Sequence, residues 1–344
     1  MCSREVFFAA LGHLPSAVAL LIGLRWPEGP QCPHCGSKRI GGHGRYHRNP
    51  DVPRMRCKAC RRTFLPTTGT PLARSRVSLC VWVVVAWLVC LGHSARRCAV
   101  ETKAKALRYA RVYALVWRLR EAAIGYEHGR RLSGVVEGDE FYVSCGHKGE
   151  VCDQAPAEEG EPVREGRHRG LKHGPGRGQA NKDRPVVFVQ VQRDGPVIFE
   201  VRGNADQATV GALYEQTVEK GSTVYTDSAS CYEVLGRNGY TLEQVNHSEK
   251  EYARGEVHEN RAETEIRLLQ HFLAEHQGVA LQNLASYLKL HQFRRNHRKQ
   301  AAWEQAALLL AGLLGNGPSP LCLVRPAWAH SLGKCQVGRF PVAA

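Results

Sequence analysis

No stretch of this 344-residue chain is long and apolar enough to cross a bilayer. The longest run, Val77 to Leu91, has 15 residues and contains Ser78, against roughly 17–25 for a membrane helix. It therefore reads as a buried helix. The N-terminus has an apolar patch at Val18 to Leu24 but no basic segment leading to a small-residue cleavage site, so no signal peptide is expected. Internal repeats are absent. Hydrophobic residues at 43% and charged residues at 23% exclude wholesale disorder, a collagen and a coiled-coil rod. Acidic residues are in deficit: 32 Asp and Glu face 47 Lys and Arg, a formal charge of +15. That surplus favours a polyanionic partner, nucleic acid ahead of an acidic membrane surface.

The thirteen cysteines are odd in number and are not spread like a secreted disulfide framework. Four of them stand in two C-x-x-C pairs, Cys32 with Cys35 and Cys57 with Cys60, and 21 residues separate the pairs. Each pair supplies two soft ligands from one tight turn, and two such knuckles close a tetrahedral zinc site. The local sequences CPHCGS and CKACRRTF repeat the same shape. The alternative, redox dithiols or free core thiols, finds no surrounding βαβ pattern. The other nine cysteines read as small core residues or incidental thiols. From Arg25 to Phe64 ten Lys or Arg stand against Glu28 and Asp51. Arg39, Arg45, Arg61 and Arg62 belong to this set, and a rigid basic module suits phosphate contact.

Periodicity and breakers divide the chain into a helical lead-in (1–24), the zinc ribbon (25–71), a helical block (72–130), an α/β domain (131–300) and a C-terminal helix with an irregular tail (301–344). In the helical block Ser78 to Cys90 is apolar all round. Gly92-His93-Ser94 breaks it, and a long helix is expected from Thr102 to Ala123 with Arg108, Arg111, Arg118 and Arg120 exposed. Helices on short turns carrying arginines suggest a helix-turn-helix, with a plain helical linker as the alternative. In the α/β domain strands are expected at 135–143, 186–192, 197–202, 223–226 and 243–245. Helices are expected at 205–220, 230–237, 258–275 and 281–294. A polar excursion fills 145–184. Strands and helices in this order make a mixed sheet flanked by helices.

Three acids stand where that architecture gathers side chains. Asp139 lies inside the first strand, where aspartate is disfavoured. Asp227 ends a later strand. Glu263 lies near the start of the helix HENRAETEIRLLQHF. On that helix Ala262, Ile266, Leu269 and Leu273 make an apolar stripe, and Asn260, Glu263, Arg267 and Gln270 a polar one beside it. Converging carboxylates need a cation, and hard oxygen ligands select Mg²⁺ or Mn²⁺. Two such ions serve in-line phosphoryl transfer. Glu137 competes with Asp139, whose face it shares; Glu140 points the other way.

The motifs RWPEGPQCPHCGS, MRCKACRRTF, TTGT, VVEGDEFYV, VYTDSASCY, VHENRAETE and FRRNHRK follow one another in an order that resembles a bacterial insertion-sequence transposase. The group it resembles has an N-terminal zinc ribbon and a DDE-type, RNase H-like catalytic domain of the kind named after a Xanthomonas element. The resemblance covers about residues 5–300. It implies that Asp139 and Asp227 are the first two metal-binding acids. An H-x-N-x-x-E segment, here His258, Asn260 and Glu263, supplies the third. Glu263 is favoured because a carboxylate binds a divalent ion better than an amide, with Asn260 as the alternative. The basic residue usual seven positions after that Glu is Gln270 here, so Arg267 is expected to take over its DNA contact.

The resemblance further implies Mg²⁺-dependent DNA cleavage and strand transfer at the element's terminal inverted repeats. It implies double-stranded DNA, including target DNA, as the partner, and no membrane. A homodimer or larger assembly on DNA follows, in the cytoplasm of a bacterium at the nucleoid. A non-catalytic zinc-ribbon DNA-binding regulator and a metal-dependent nuclease without strand transfer are the competing functions.

Overall fold

The computed structural model describes residues 3–73, 75–102, 107–145, 184–245 and 260–315. The excursion expected at 145–184 lies outside these residues except at its two ends, as do His258 and the tail beyond residue 315.

Two short helices, α1 (Arg4–Ala9) and α2 (Leu14–Arg25), lead into a three-stranded antiparallel sheet of β1 (Ile40–Tyr46), β2 (Asn49–Cys57) and β3 (Thr63–Phe64). Then come α3 (Leu79–Cys90), α4 (Ala95–Glu101) and α5 (Tyr109–Glu127). Ten of the twelve residues of α3 are buried. Its valines would suit a strand, but twelve apolar residues ending before Gly92 are too many for one, and burial on all sides favours the helix.

The long helix expected from Thr102 starts instead at Tyr109. The Thr102 hydroxyl donates to the Cys98 carbonyl at 2.8 Å and sits at the end of α4. Arg120, expected at the surface, is 1% exposed, with its guanidinium 3.5 Å above the Tyr287 ring. Its aliphatic stem and a cation–π contact offset part of the desolvation. Arg108 and Arg111 are exposed and Arg118 is half-buried.

The second sheet contains β4 (Val135–Tyr142), β5 (Val186–Gln192), β6 (Val197–Arg202), β7 (Thr223–Asp227) and β8 (Thr241–Val245), in the order β6-β5-β4-β7-β8. The first three strands are antiparallel, and β7 and β8 run parallel to β4. This is the mixed, RNase H-like arrangement expected for the α/β domain. Helices α6 (Gln207–Thr217) and α7 (Val234–Arg237) follow β6 and β7. Helices α8 (Asn260–Ala274), α9 (Leu281–Asn296) and α10 (Ala302–Gly315) close the chain.

Strand alternation assigns the faces. Val136, Val186, Phe188 and Ile198 pack with Val210, Leu213 and Tyr214 of α6 in one core. Val187, Val189, Val191, Phe199 and Val201 face the other way, into a larger core shared with α1 to α5 and α8 to α10. Gly138 is required where β4 passes α6, because a Cβ there would overlap the Tyr214 hydroxyl.

The outer edge of β6 is sealed by α9. Asn296 bonds both the amide and the carbonyl of Val197, at 2.8 and 3.0 Å, and Gln292 accepts from the Phe199 amide at 3.0 Å. Residues four apart on a helix rise about 6 Å, close to the span of two strand residues, so the two side chains act as a partner strand and blunt the edge. Both amides also donate to the buried Glu127 at 2.8 Å, which pairs with Arg130 at 2.6 Å. A buried carboxylate satisfied on several sides thus ties α5, α9 and the sheet together.

Candidate zinc and carboxylate centres

The ribbon is built from two matching turns. The Cys32 amide donates to the Ser37 carbonyl at 3.0 Å, and the Cys57 amide to the Arg62 carbonyl at 2.9 Å. After each second cysteine the backbone turns left-handed, at Gly36 (φ 72°) and at Arg61 (φ 60°). The amides of His34 and Cys60 point at the sulfurs of Cys32 and Cys57, at 3.4 and 3.5 Å. All four sulfurs lie within 4.8 Å of one another, with Cys32–Cys60 and Cys35–Cys57 each at 3.6 Å. A tetrahedron with zinc–sulfur bonds of about 2.3 Å has edges of about 3.8 Å, so the donor set fits zinc.

The thiols show the same need for a cation. The Cys60 amide, ahead of the other contacts, pulls the Cys57 thiol down to about 6. At Cys35 the Ser37 amide pulls the same way but is outweighed by desolvation and the three neighbouring sulfurs, which push it up to about 11. One thiolate is tolerated and discourages the next unless a dication compensates both. Arg39, Arg45, Arg61 and Arg62 are all exposed on this module.

The acids belong to the second sheet. Between β4 and β7 the strand order reverses, and open α/β sheets bind ligands at such a point, beyond the carboxyl ends of the strands. The parallel ladder pairs Val135 with Thr223, Val136 with Val224 and Glu137 with Tyr225. Two residues further on, Asp139 is level with Asp227 and on the same face. Asp139 is half-buried, and one of its oxygens accepts the Glu140 amide at 2.7 Å. Asp227 is 5% exposed, and one of its oxygens accepts the Ala229 amide at 3.0 Å.

Helix α8 lies over this face. Glu137, fully buried, accepts the Arg261 backbone N–H at 2.9 Å and the Arg193 Nε at 2.9 Å. A carboxylate in mid-strand thereby caps the first turn of a helix more than a hundred residues away. Asn260 and Glu263 stand in that turn. Asn260 is exposed. Glu263 is 38% exposed and pairs with Arg267 at 3.1 Å. Glu140 points to the opposite face, where it accepts from the Tyr232 hydroxyl.

Among the described residues the four cysteines alone gather closely enough to share an ion. Asp139, Asp227 and Glu263 occupy neighbouring elements without being drawn together to that degree. Like charges repel, and Glu263 is turned to Arg267.

Sequence reasoning did not find the anchoring part of Glu137. Its signal is the two-residue offset from Asp139, which sets both on one face. Removing this buried carboxylate takes one buried ion pair from Arg193 and the acceptor from the Arg261 amide. Glu137→Ala is expected to cost about 3 kcal/mol or more in urea unfolding, and a loss under about 1 kcal/mol would contradict that anchoring.

No helix among the described residues is long and apolar enough to cross a membrane. Residues 131–296 match the ISXO2-like transposase domain, and residues 15–63 match the transposase zinc-ribbon domain. An uncharacterised protein in transposable element ISH50 of Halobacterium salinarum is 32% identical over 283 residues, covering 81% of this chain and 90% of that protein. Two solved structures align more weakly. A pre-cleavage Mos1 transpososome is 12% identical, covering 67% of this chain and 78% of that one, with a TM-score of 0.25. A Mos1 transposase paired-end complex with left transposon end is 11% identical, covering 64% and 74%, also at 0.25. Scores that small carry no weight for fold or function. The two domain matches, in the order the motifs run, and the long relative in a transposable element show that the chain belongs to the ISXO2-like transposases with an N-terminal zinc ribbon.

Proposed function

We propose that this chain cuts DNA at the ends of an insertion sequence and joins the freed ends to target DNA. Water adds to the phosphorus at the element end, and the bond to the 3′-oxygen breaks, leaving a 3′-hydroxyl. That hydroxyl then attacks a target phosphodiester and displaces its 3′-oxygen, so each bond made replaces one broken. The observation that carries the reading is the capping of α8 by Glu137. It supports a site in which Asn260 and Glu263 lie beside Asp139 and Asp227 at the switch point of the sheet.

Asp139, Asp227 and Glu263 would hold Mg²⁺ or Mn²⁺, with Asn260 as the alternative third ligand. Such ions activate the attacking oxygen and stabilise the leaving one. The Glu140 and Ala229 amides fix one oxygen of each aspartate, which orients the carboxylates before any substrate arrives. Glu137 acts as a positioning residue for the helix. Arg267, and Arg39, Arg45, Arg61 and Arg62 on the ribbon, meet DNA phosphates of the terminal inverted repeats and the target. Two element ends must be brought together, so the working form is a homodimer or a larger assembly at the nucleoid of a bacterial cell.

Full-length protein is mixed with a pre-cleaved element end, supercoiled plasmid and Mg²⁺. The expected result is plasmid joined to the end. Cutting without joining would make the chain a nuclease, and binding alone, unchanged by Asp139→Asn, a regulator.

A further inference from the structure

A cleft of about 660 Å³ opens between the second halves of α8 and α9, the end of α3 and the start of α10. Its basic side chains are His271, Arg294, Arg295 and Arg298. Arg295 is satisfied by Glu265 through two bonds of 2.8 and 2.7 Å. Arg294 is not. It is half-buried, its Nε donates to the Cys90 carbonyl at 3.2 Å, and its guanidinium lies 5.9 Å from the Phe272 ring centroid. Gly92 approaches so closely that a Cβ there would stand 2.9 Å from Nη2. Among the described residues no carboxylate comes within 4.0 Å of it.

A fixed, partly desolvated guanidinium without a counter-ion is costly, and its planar fork matches phosphate. Deeper in the cleft, His291 is 4% exposed and neither ring nitrogen has a hydrogen-bond partner among the described residues. Gln305 Oε1 is likewise without one. Among the described residues Glu275 is the only carboxylate in the lining, and it is exposed.

The cleft is in register with the acids. Glu263, Arg267 and His271 follow one another at four-residue steps on α8, with Glu275 one step further just past its end, so they make one row up the helix. His271 stands eight residues beyond Glu263, about 12 Å along the axis. DNA rises about 3.4 Å per nucleotide along its axis, and its phosphates are spaced more widely than that along the strand, so that distance is at most about four nucleotides.

We infer that this cleft binds one backbone phosphate of the DNA, within about four nucleotides of the phosphate at the acids. The inference rests on the transposase reading above and concerns a contact made before chemistry. Binding of the element end is measured with single methylphosphonates placed at successive positions, in the Asp139→Asn background so that no cutting intervenes. Removing the charge at one position within about four nucleotides of the reacting phosphate should weaken binding about tenfold, the value of a lost charge-assisted hydrogen bond.

Arg294→Met keeps the apolar stem. It should bind the unmodified end about tenfold more weakly and lose the positional penalty. Arg298→Ala, at an exposed site, should reduce that penalty without altering the fold. A protein that selects the end yet shows no such penalty, or shows it in full in both variants, overturns the phosphate site alone. A protein that does not select the end overturns the transposase reading as well.

Discussion

Asp139→Asn and Asp227→Asn should each abolish joining of a pre-cleaved end, by about a thousandfold or more, while leaving end binding and the unfolding midpoint close to wild type. An amide is nearly isosteric with the carboxylate but carries no charge to hold a divalent cation. The stabilisation lost is several kcal/mol at the transition state, which is about a thousandfold in rate. Asp139 accepts a hydrogen bond from its neighbour's amide, and the amide oxygen of Asn can accept the same bond, so the strand should persist. Glu263→Gln and Asn260→Ala separate the two candidates for the third ligand. A loss as deep as that of Asp139→Asn is expected for Glu263→Gln, and a much smaller one for Asn260→Ala. Gel-based joining with matched binding curves measures all four, and near-normal joining by Asp139→Asn would remove the enzymatic reading.

Zinc removal should unfold the ribbon and leave the rest of the chain folded. The ribbon's own core is four buried residues, Cys32, Met55, Cys57 and Phe64, with Trp26, Ile40 and Cys60 packed against them. Three of those seven are zinc ligands. Too little apolar surface remains to offset the ordering of some forty residues, so metal binding supplies the stability, typically about 10–16 kcal/mol for such sites near neutral pH. The other cores draw on α1 to α10 and the second sheet. Hydrogen exchange after chelation, or in Cys57→Ser, should therefore lose protection over 25–71 and keep it across β4–β8. End binding should fall with the ribbon, since its arginines lose their frame. Unchanged protection of β1 and β2 would show that the ribbon stands without zinc.

Local signals were enough for much of this. The strands β5 and β6 coincide with their sequence-based bounds, because two short apolar runs rich in β-branched residues flank a turn at Asp194 and Gly195. The knuckles were legible because ligand spacing alone specifies them. Asp139 stands out in the sequence because a strand interior rarely tolerates aspartate, and it lies inside β4. What escaped depends on partners far along the chain. Nothing near Arg120 announces that Tyr287 will stack on it, and nothing near Glu127 announces Gln292 and Asn296. The FRRNHRK stretch reads as one basic motif, yet α9 distributes it. Asn296 seals the sheet edge, Arg295 pairs with Glu265, and Arg294 faces the cleft. Helical geometry sends consecutive residues to different neighbours, so a motif uniform in sequence has several functions in space. The late start of α5 escaped as well: α4 ends at Glu101 with Thr102 as its C-cap, and the next helix starts at Tyr109.

The most direct test is a crystal soaked in Mn²⁺, with the ion located by its anomalous scattering. The account predicts manganese bound by oxygens of Asp139 and Asp227, with Glu263 or Asn260 completing the set from α8. Manganese bound elsewhere, in a protein that still joins DNA ends, would contradict it.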